Sequence, residues 1–119
     1  MDRQCTVEKT IDIISKRWSL SIVLSIYKDN TNSKRYNQIK NDMKKITPKM
    51  LSLRLKELED EGIIEKRIDS KNIPIKTFYS LTDSGKDLIK IVQDIKSWGL
   101  KWKFDNIICE NNACKECRL

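Results

Sequence analysis

Apolar residues recur along this chain with two different periods. Val7, Ile11, Ile14 and Trp18 stand at helical spacing, and Thr6 with Lys9 gives a weak start signal. The next apolar stretch, Trp18 to Tyr27 (WSLSIVLSIY), is apolar on most sides and reads as a helix central to the core. Residues 28–33 are polar and rich in turn formers, so they read as a loop. Tyr36, Ile39 and Met43 share one face of a short helix over 36–43, and residues 44–46 form a brief turn. Thr47 suits a helix N-cap and Pro48 the first helical position. The helix they open ends near Glu61, before Gly62 at the position that favours a left-handed backbone.

After Gly62 the period changes. IIEKRID and IKTFYSL are short and β-branched or aromatic, separated by Ser-Lys-Asn-Ile-Pro, and predict a two-stranded hairpin with a loop longer than two residues. Thr82-Asp83-Ser84 opens a last helix, running to about Lys103. Its apolar face is Leu88, Ile91, Val92, Ile95, Trp98, Gly99 and Trp102. The order is helix, helix, short helix, turn, longer helix, hairpin, helix. The predicted class is mainly α with a small β-wing, a winged helix-turn-helix with a C-terminal dimerisation helix. Residues 5–103 form the domain, and 104–119 a polar, cysteine-bearing tail.

Charge sharpens this picture. The 119 residues carry a net charge of +7. Residues 33–56 hold eight basic residues and one acidic residue, so one segment carries the whole excess. A concentrated basic segment implies a polyanionic partner, nucleic acid first, against the alternative of a solvated lysine face. The sequence holds no run of 18 apolar residues and its N-terminus no signal-like apolar region. The expectation is a cytoplasmic protein without a membrane partner.

Several pieces resemble the HxlR-type family of prokaryotic transcriptional regulators, relatives of the MarR-type winged-helix proteins. They are Cys5-Thr-Val-Glu8, Asp12-Ile-Ile with Arg17-Trp18, Lys34 to Ile39 (KRYNQI), Ile46 to Ile64 (ITPKMLSLRLKELEDEGII), Thr77 to Leu88 (TFYSLTDSGKDL) and Trp98-Gly99. They span about residues 5–103 in family order. Thr6 replaces a frequent proline, and Ser15-Lys16-Arg17-Trp18 a frequent Gly-Gly-Lys-Trp. The resemblance implies a dimeric DNA-binding regulator, repressor or activator. In some members the N-terminal cysteine, matched here by Cys5, is a thiol sensor.

At 100° per residue, Met50, Leu51, Leu55 and Leu58 form the buried arc of the helix after Thr47. The opposite face is Lys49, Ser52, Leu53 and Lys56, with Thr47 and Pro48 at its start. Lysine can bond guanine or phosphate, serine can bond several bases, and leucine can touch a thymine methyl. The acidic run Glu57 to Glu61 would be repelled by phosphate, so that end is expected to point away from the duplex; solubility and contacts to Lys66 and Arg67 are the two readings of its presence. Arg35 reads as a phosphate or minor-groove contact, with a structural ion pair as the alternative. Lys71 and Asn72 at the hairpin tip and Lys76 after it read as contacts to the neighbouring groove or backbone that position rather than specify, against the alternative of a solvated turn. Leu88, Ile91, Val92, Ile95, Trp98 and Trp102 read as the dimerisation face, where a twofold axis sets two reading helices about 34 Å apart on a palindromic duplex, against the alternative that the tryptophans only cap the monomer core.

Cys109, Cys114 and Cys117 make a CxxxxCxxC pattern. That is three ligands where metal sites normally take four, and Cys5 or a partner subunit is the candidate fourth. Zinc is the first ligand the set suggests, an iron–sulfur cluster the second and a redox-switched disulfide the third, against a reduced tail with no role. DNA binding itself requires no cofactor.

Enzymatic readings find little support. The chain has no histidine to activate a serine or cysteine, and only three glycines, none in a phosphate-binding loop. A redox enzyme on Cys114-x-x-Cys117 needs a βαβ scaffold that the pattern lacks. A winged-helix module for protein interaction or non-specific nucleic-acid binding is the remaining alternative.

Overall fold

The computed structural model describes residues 5–71 and 73–116. Six helices and three strands follow in the order α1 (Thr6–Ile14), α2 (Ser19–Tyr27), β1 (Ser33–Arg35), α3 (Tyr36–Asp42), α4 (Pro48–Asp60), β2 (Ile64–Asp69), β3 (Lys76–Leu81), α5 (Asp83–Trp102) and α6 (Ile107–Asn111). This is the winged helix-turn-helix expected: α3, a turn and α4, then the β2–β3 wing. No helix among the described residues is long and apolar enough to cross a membrane.

The core forms where the apolar stripes meet. Ile22, Val23 and Ile26 of α2 are fully buried, which fits a helix apolar on most sides. Ile39 of α3, Leu51, Leu55 and Leu58 of α4, Ile64 and Leu81 of the sheet and Leu88 and Ile89 of α5 close around them. Met43 and Ile46 bury the turn between α3 and α4, and Met50 packs on the rim.

Local chemistry sets the element ends. Thr47 Oγ1 accepts from Met50 N at 3.1 Å, and Pro48 follows at the first helical position. At the other end of α4, Gly62 has φ of 74°. Its N–H reaches Glu59 O at 3.0 Å while Ile63 N–H reaches Leu58 O at 3.0 Å, the paired 5→2 and 6→1 bonds that satisfy a helix's last carbonyls. Ile63 and Leu58 are both buried there. Thr82 caps α5, accepting from Gly85 N at 3.3 Å, and donates its own hydroxyl to Gly62 O at 2.6 Å. Ser84 Oγ donates to the same carbonyl at 2.9 Å. The Thr-Asp-Ser-Gly sequence thus rivets the start of α5 to the end of α4. Gly85 completes the joint, because a Cβ there would lie 2.3 Å from Ile63 O.

Four features depart from the sequence expectations. The sheet has a third strand, in order β1-β3-β2 and antiparallel throughout. β1 is only Ser-Lys-Arg, held by backbone pairing with no apolar alternation to announce it. The first helix stops at Ile14, and Trp18 takes a left-handed backbone (φ 79°) at the N-cap of α2. Val7 and Ile11 stay exposed, leaving Ile13 and Ile14 to meet the core. Within the tail, Asn106 caps the short helix α6 by accepting from Cys109 N at 3.0 Å.

Candidate nucleic-acid interface

Helix α4 turns Leu51, Leu55 and Leu58 inward and leaves Lys49, Ser52, Leu53 and Lys56 exposed, together with Thr47 and Pro48 at its start. Leu53 is 48% exposed although the core lies one helix-width away. Ser52 Oγ lies 3.5 Å from the hydroxyl of Tyr36, the first residue of α3. Periodicity assigned Tyr36 to the core alone, because an aromatic on an apolar stripe gives no sign that its hydroxyl reaches outward.

Lys56 is exposed but engaged. Its ammonium pairs with Asp60 at 3.2 Å and Glu59 at 3.8 Å, and these carboxylates hold its pKa above the usual value. The ion pairs of the acidic run are thus with cations of its own helix and with Lys16, and none is with Lys66 or Arg67 among the described residues. Glu57 takes Arg54 at 3.1 Å and Lys16 at 3.5 Å. Arg67 instead stacks over the Phe78 ring at 5.2 Å.

Two of the eight basic residues in the charged segment are structural. Lys34 Nζ donates to Ser25 O at 2.6 Å and pairs with Asp42, which also accepts from Ser25 Oγ at 2.9 Å. Arg54 Nε donates to Arg17 O at 2.9 Å and its Nη1 holds Glu57, tying α4 to the α1–α2 connection. The remaining cations of the segment include Lys44 and Lys45 in the turn, Lys49 and Lys56 on α4, and half-buried Arg35. Arg35 is the N-cap residue of α3, where its backbone N–H donates to Gln38 Oε1 at 3.1 Å, and it forms no ion pair among the described residues.

The wing carries Lys71 exposed at its tip, its backbone N–H on Asp69 Oδ1 at 3.1 Å, and half-buried Lys76 at the start of β3. Asn72 lies outside the described residues. β3 is the centre of the sheet, pairing with β2 on one side and with β1 on the other. One strand therefore links the wing to the entrance of α3.

The face expected on α5 divides in two. Ile91, Ile95, Trp98 and Trp102 are exposed, the two tryptophans at 58% and 64%, and Val92 is half-buried. Leu88 is a correction: at 7% exposure it belongs to the monomer core, because the first turns of α5 pack on the sheet and α2 before the helix projects beyond them.

Cys109 and Cys114 line one apolar groove of about 530 Å³ with Leu24, Val92, Trp98 and Phe104. Cys5 is the N-cap residue of α1. Cys117 lies outside the described residues. Among the described residues no three cysteine or carboxylate side chains gather to hold a metal.

Comparison with known proteins gives the same reading. The HxlR-like helix-turn-helix family matches residues 13–106. YdeP of Bacillus subtilis strain 168, an uncharacterized HTH-type transcriptional regulator, is 38% identical over 99 residues, which span 83% of this chain and 74% of YdeP. The crystal structure of a protein from Porphyromonas gingivalis W83 assigned to the MarR family of transcriptional regulators aligns at a TM-score of 0.77 and 31% identity, covering 86% of this chain and 96% of that one. The reduced form of the transcriptional regulator YodB from B. subtilis aligns at 0.72 and 29% identity, over 87% and 95% of the two chains. With its fold, its basic helix-turn-helix and these relatives in agreement, the chain belongs to the HxlR-like helix-turn-helix family of transcriptional regulators.

Proposed function

We propose that the protein is a dimeric regulator that binds specific double-stranded DNA, reading the major groove with α4 and steadying the complex with the wing. One observation carries this reading most directly. The exposed face of α4 combines Lys49 and Lys56 with Ser52 and a half-exposed leucine behind a capped N-terminus. A merely solvated face gains nothing from Leu53, whereas a base-reading face gains a methyl contact. Arg35, Lys71, Asn72 and Lys76 supply phosphate contacts. The projecting half of α5, with Ile91, Val92, Ile95, Trp98 and Trp102, forms the subunit interface in this reading.

Selection of bound duplexes from a random pool tests this. The expected product is a palindrome whose half-sites lie about 10 base pairs apart, the spacing of two reading helices on one duplex face. Lys56→Ala weakens binding and relaxes sequence choice at one position, while Lys71→Ala weakens all sequences alike. If neither change alters duplex affinity, the assignment is lost. A salt titration separates the non-specific alternative, in which preference for the selected duplex over random DNA is absent at every salt concentration.

The thiols of Cys5, Cys109, Cys114 and Cys117 are the proposed signal input, by redox change or metal binding. Elemental analysis after anaerobic purification and a thiol count before and after oxidation test it. Metal-free protein whose thiols all alkylate, with duplex affinity unchanged by oxidation, excludes both forms of the input.

A further inference from the structure

Helix α2 ends with a problem that its own sequence does not solve. The last carbonyls of a helix have no partner within it, and cations are favoured there. The last turn of α2 contains no basic residue. Within the chain, Lys28 N takes Leu24 O at 3.0 Å and Asp29 N takes Ile26 O at 3.2 Å, which leaves Ser25 O and Tyr27 O. Two lysines distant in sequence fill these places. Lys34 Nζ, from the entrance of the helix-turn-helix, takes Ser25 O. Lys115 Nζ, from the tail, takes Tyr27 O at 3.0 Å.

Lys115 does more than cap. Its ammonium sits 4.4 Å from the centre of the Tyr27 ring, a cation–π distance, and donates to Asn32 Oδ1 at 3.0 Å. Asn32 has a left-handed backbone (φ 54°), and its carbonyl accepts from Leu81 N at 3.0 Å at the end of β3. Three residues later the chain reaches Arg35 and the start of α3. The tail is held on its other side by Lys96 of α5, whose Nζ donates to Asn112 O at 2.7 Å. A strap thus runs from α5 through the tail to the segment that launches the helix-turn-helix.

We propose that Lys115 is a positioning residue for DNA binding: by clamping the end of α2 and Asn32, the tail fixes the loop that places Arg35 and α3. The groove wall that carries Cys109 and Cys114 is part of the same strap, so chemistry at those thiols has a mechanical route to the helix-turn-helix. The effect on affinity rests on the DNA-binding function proposed above. The effect on the loop does not.

Full-length Lys115→Met, Lys115→Gln and Lys115→Arg separate the two. Hydrogen exchange of amides 29–38 is the readout independent of DNA. Met speeds exchange there by roughly tenfold, Arg keeps the donors and the ring contact and restores protection, and Gln falls between. Duplex affinity follows the same order, with Met weakening the selected duplex by about three- to tenfold, and Arg35→Ala costs less in the Met background than alone. Unchanged exchange in Lys115→Met overturns the clamp whatever the DNA result. Faster exchange with unchanged affinity, or full additivity with Arg35→Ala, overturns its link to binding. If the unmodified protein binds no duplex, the proposed function fails, and the exchange data still decide the clamp.

Discussion

At the scale of single residues, the basic segment divides its cations between two tasks. Lys34 and Arg54 face inward and hold helices together, Arg35 and Lys40 are half-buried, and Lys44, Lys45, Lys49 and Lys56 face solvent. Sequence alone does not separate these, because a lysine that caps a distant helix and a lysine that meets a phosphate have the same neighbours in the chain. Arg54 illustrates the first task. Its side chain is 15% exposed and bonds both Arg17 O and Glu57, so Arg54→Met leaves the Arg17 carbonyl without its donor and Glu57 with Lys16 alone. Chemical denaturation should show a loss of about 1.5–3 kcal/mol, the range for hydrogen bonds to charged groups. Lys56 illustrates the second. Glu59 and Asp60 hold its ammonium, and in the proposed complex they would compete with DNA for it. The double change Glu59→Gln, Asp60→Asn should therefore tighten duplex binding by roughly two- to fivefold at low salt, with the gain shrinking as salt rises. Fluorescence anisotropy on one duplex at several salt concentrations reads this out, and weaker binding would contradict the competition. Asp29 gives a pH dependence. Its carboxylate accepts from Thr31 Oγ1 at 2.6 Å and Thr31 N at 2.9 Å, which lowers its pKa from the usual 3.8. The folded form therefore favours the charged carboxylate. Its contribution is complete above the unfolded pKa and lost as pH falls through the lowered value. Thr31→Val should reduce stability at pH 6, with the difference from the parent protein vanishing in the acid range below that value.

Elements show most clearly what the sequence could foretell. Helices α2 to α5 stand within a residue or two of their expected bounds, and α4 and α5 do so because a stripe of spaced apolar residues meets chemical boundary signals: Thr47-Pro48 and Gly62 for α4, Thr82 for α5. β1 and α6 had no such signature. β1 exists because β3 offers it a free edge, and that edge depends on the fold rather than on Ser-Lys-Arg. The face of α5 was legible as apolar, yet periodicity cannot say where a long helix leaves its own core, so Leu88 was assigned to a partner it does not face. The α4–α5 joint is a sharper test of packing. Gly85→Ala places a methyl against backbone that cannot withdraw, and it should cost about 1–3 kcal/mol or more in urea unfolding despite the better helix propensity of alanine. An unchanged midpoint would mean that Ile63 O can move aside.

For the whole molecule, the open question is what covers the end of α5. Ile91, Ile95, Trp98 and Trp102 lie along one stripe and are exposed among the described residues. A twofold partner would bury this stripe against itself. Ile95→Asp with Trp98→Ser should yield a folded monomer of about 14.0 kDa by light scattering, with duplex affinity reduced by 100-fold or more because each half-site is then bound singly. A persistent dimer would move the interface elsewhere. One further consequence follows from the sheet. Arg35 and Arg67 both stand opposite Phe78, so the strand that leads into α3 and the first strand of the wing are fastened to the same residue of β3. The protein is in this respect a ruler with two fixed marks. In the proposed complex, operators should tolerate base changes in the centre between half-sites but hold constant the number of base pairs separating each half-site core from its outer flank.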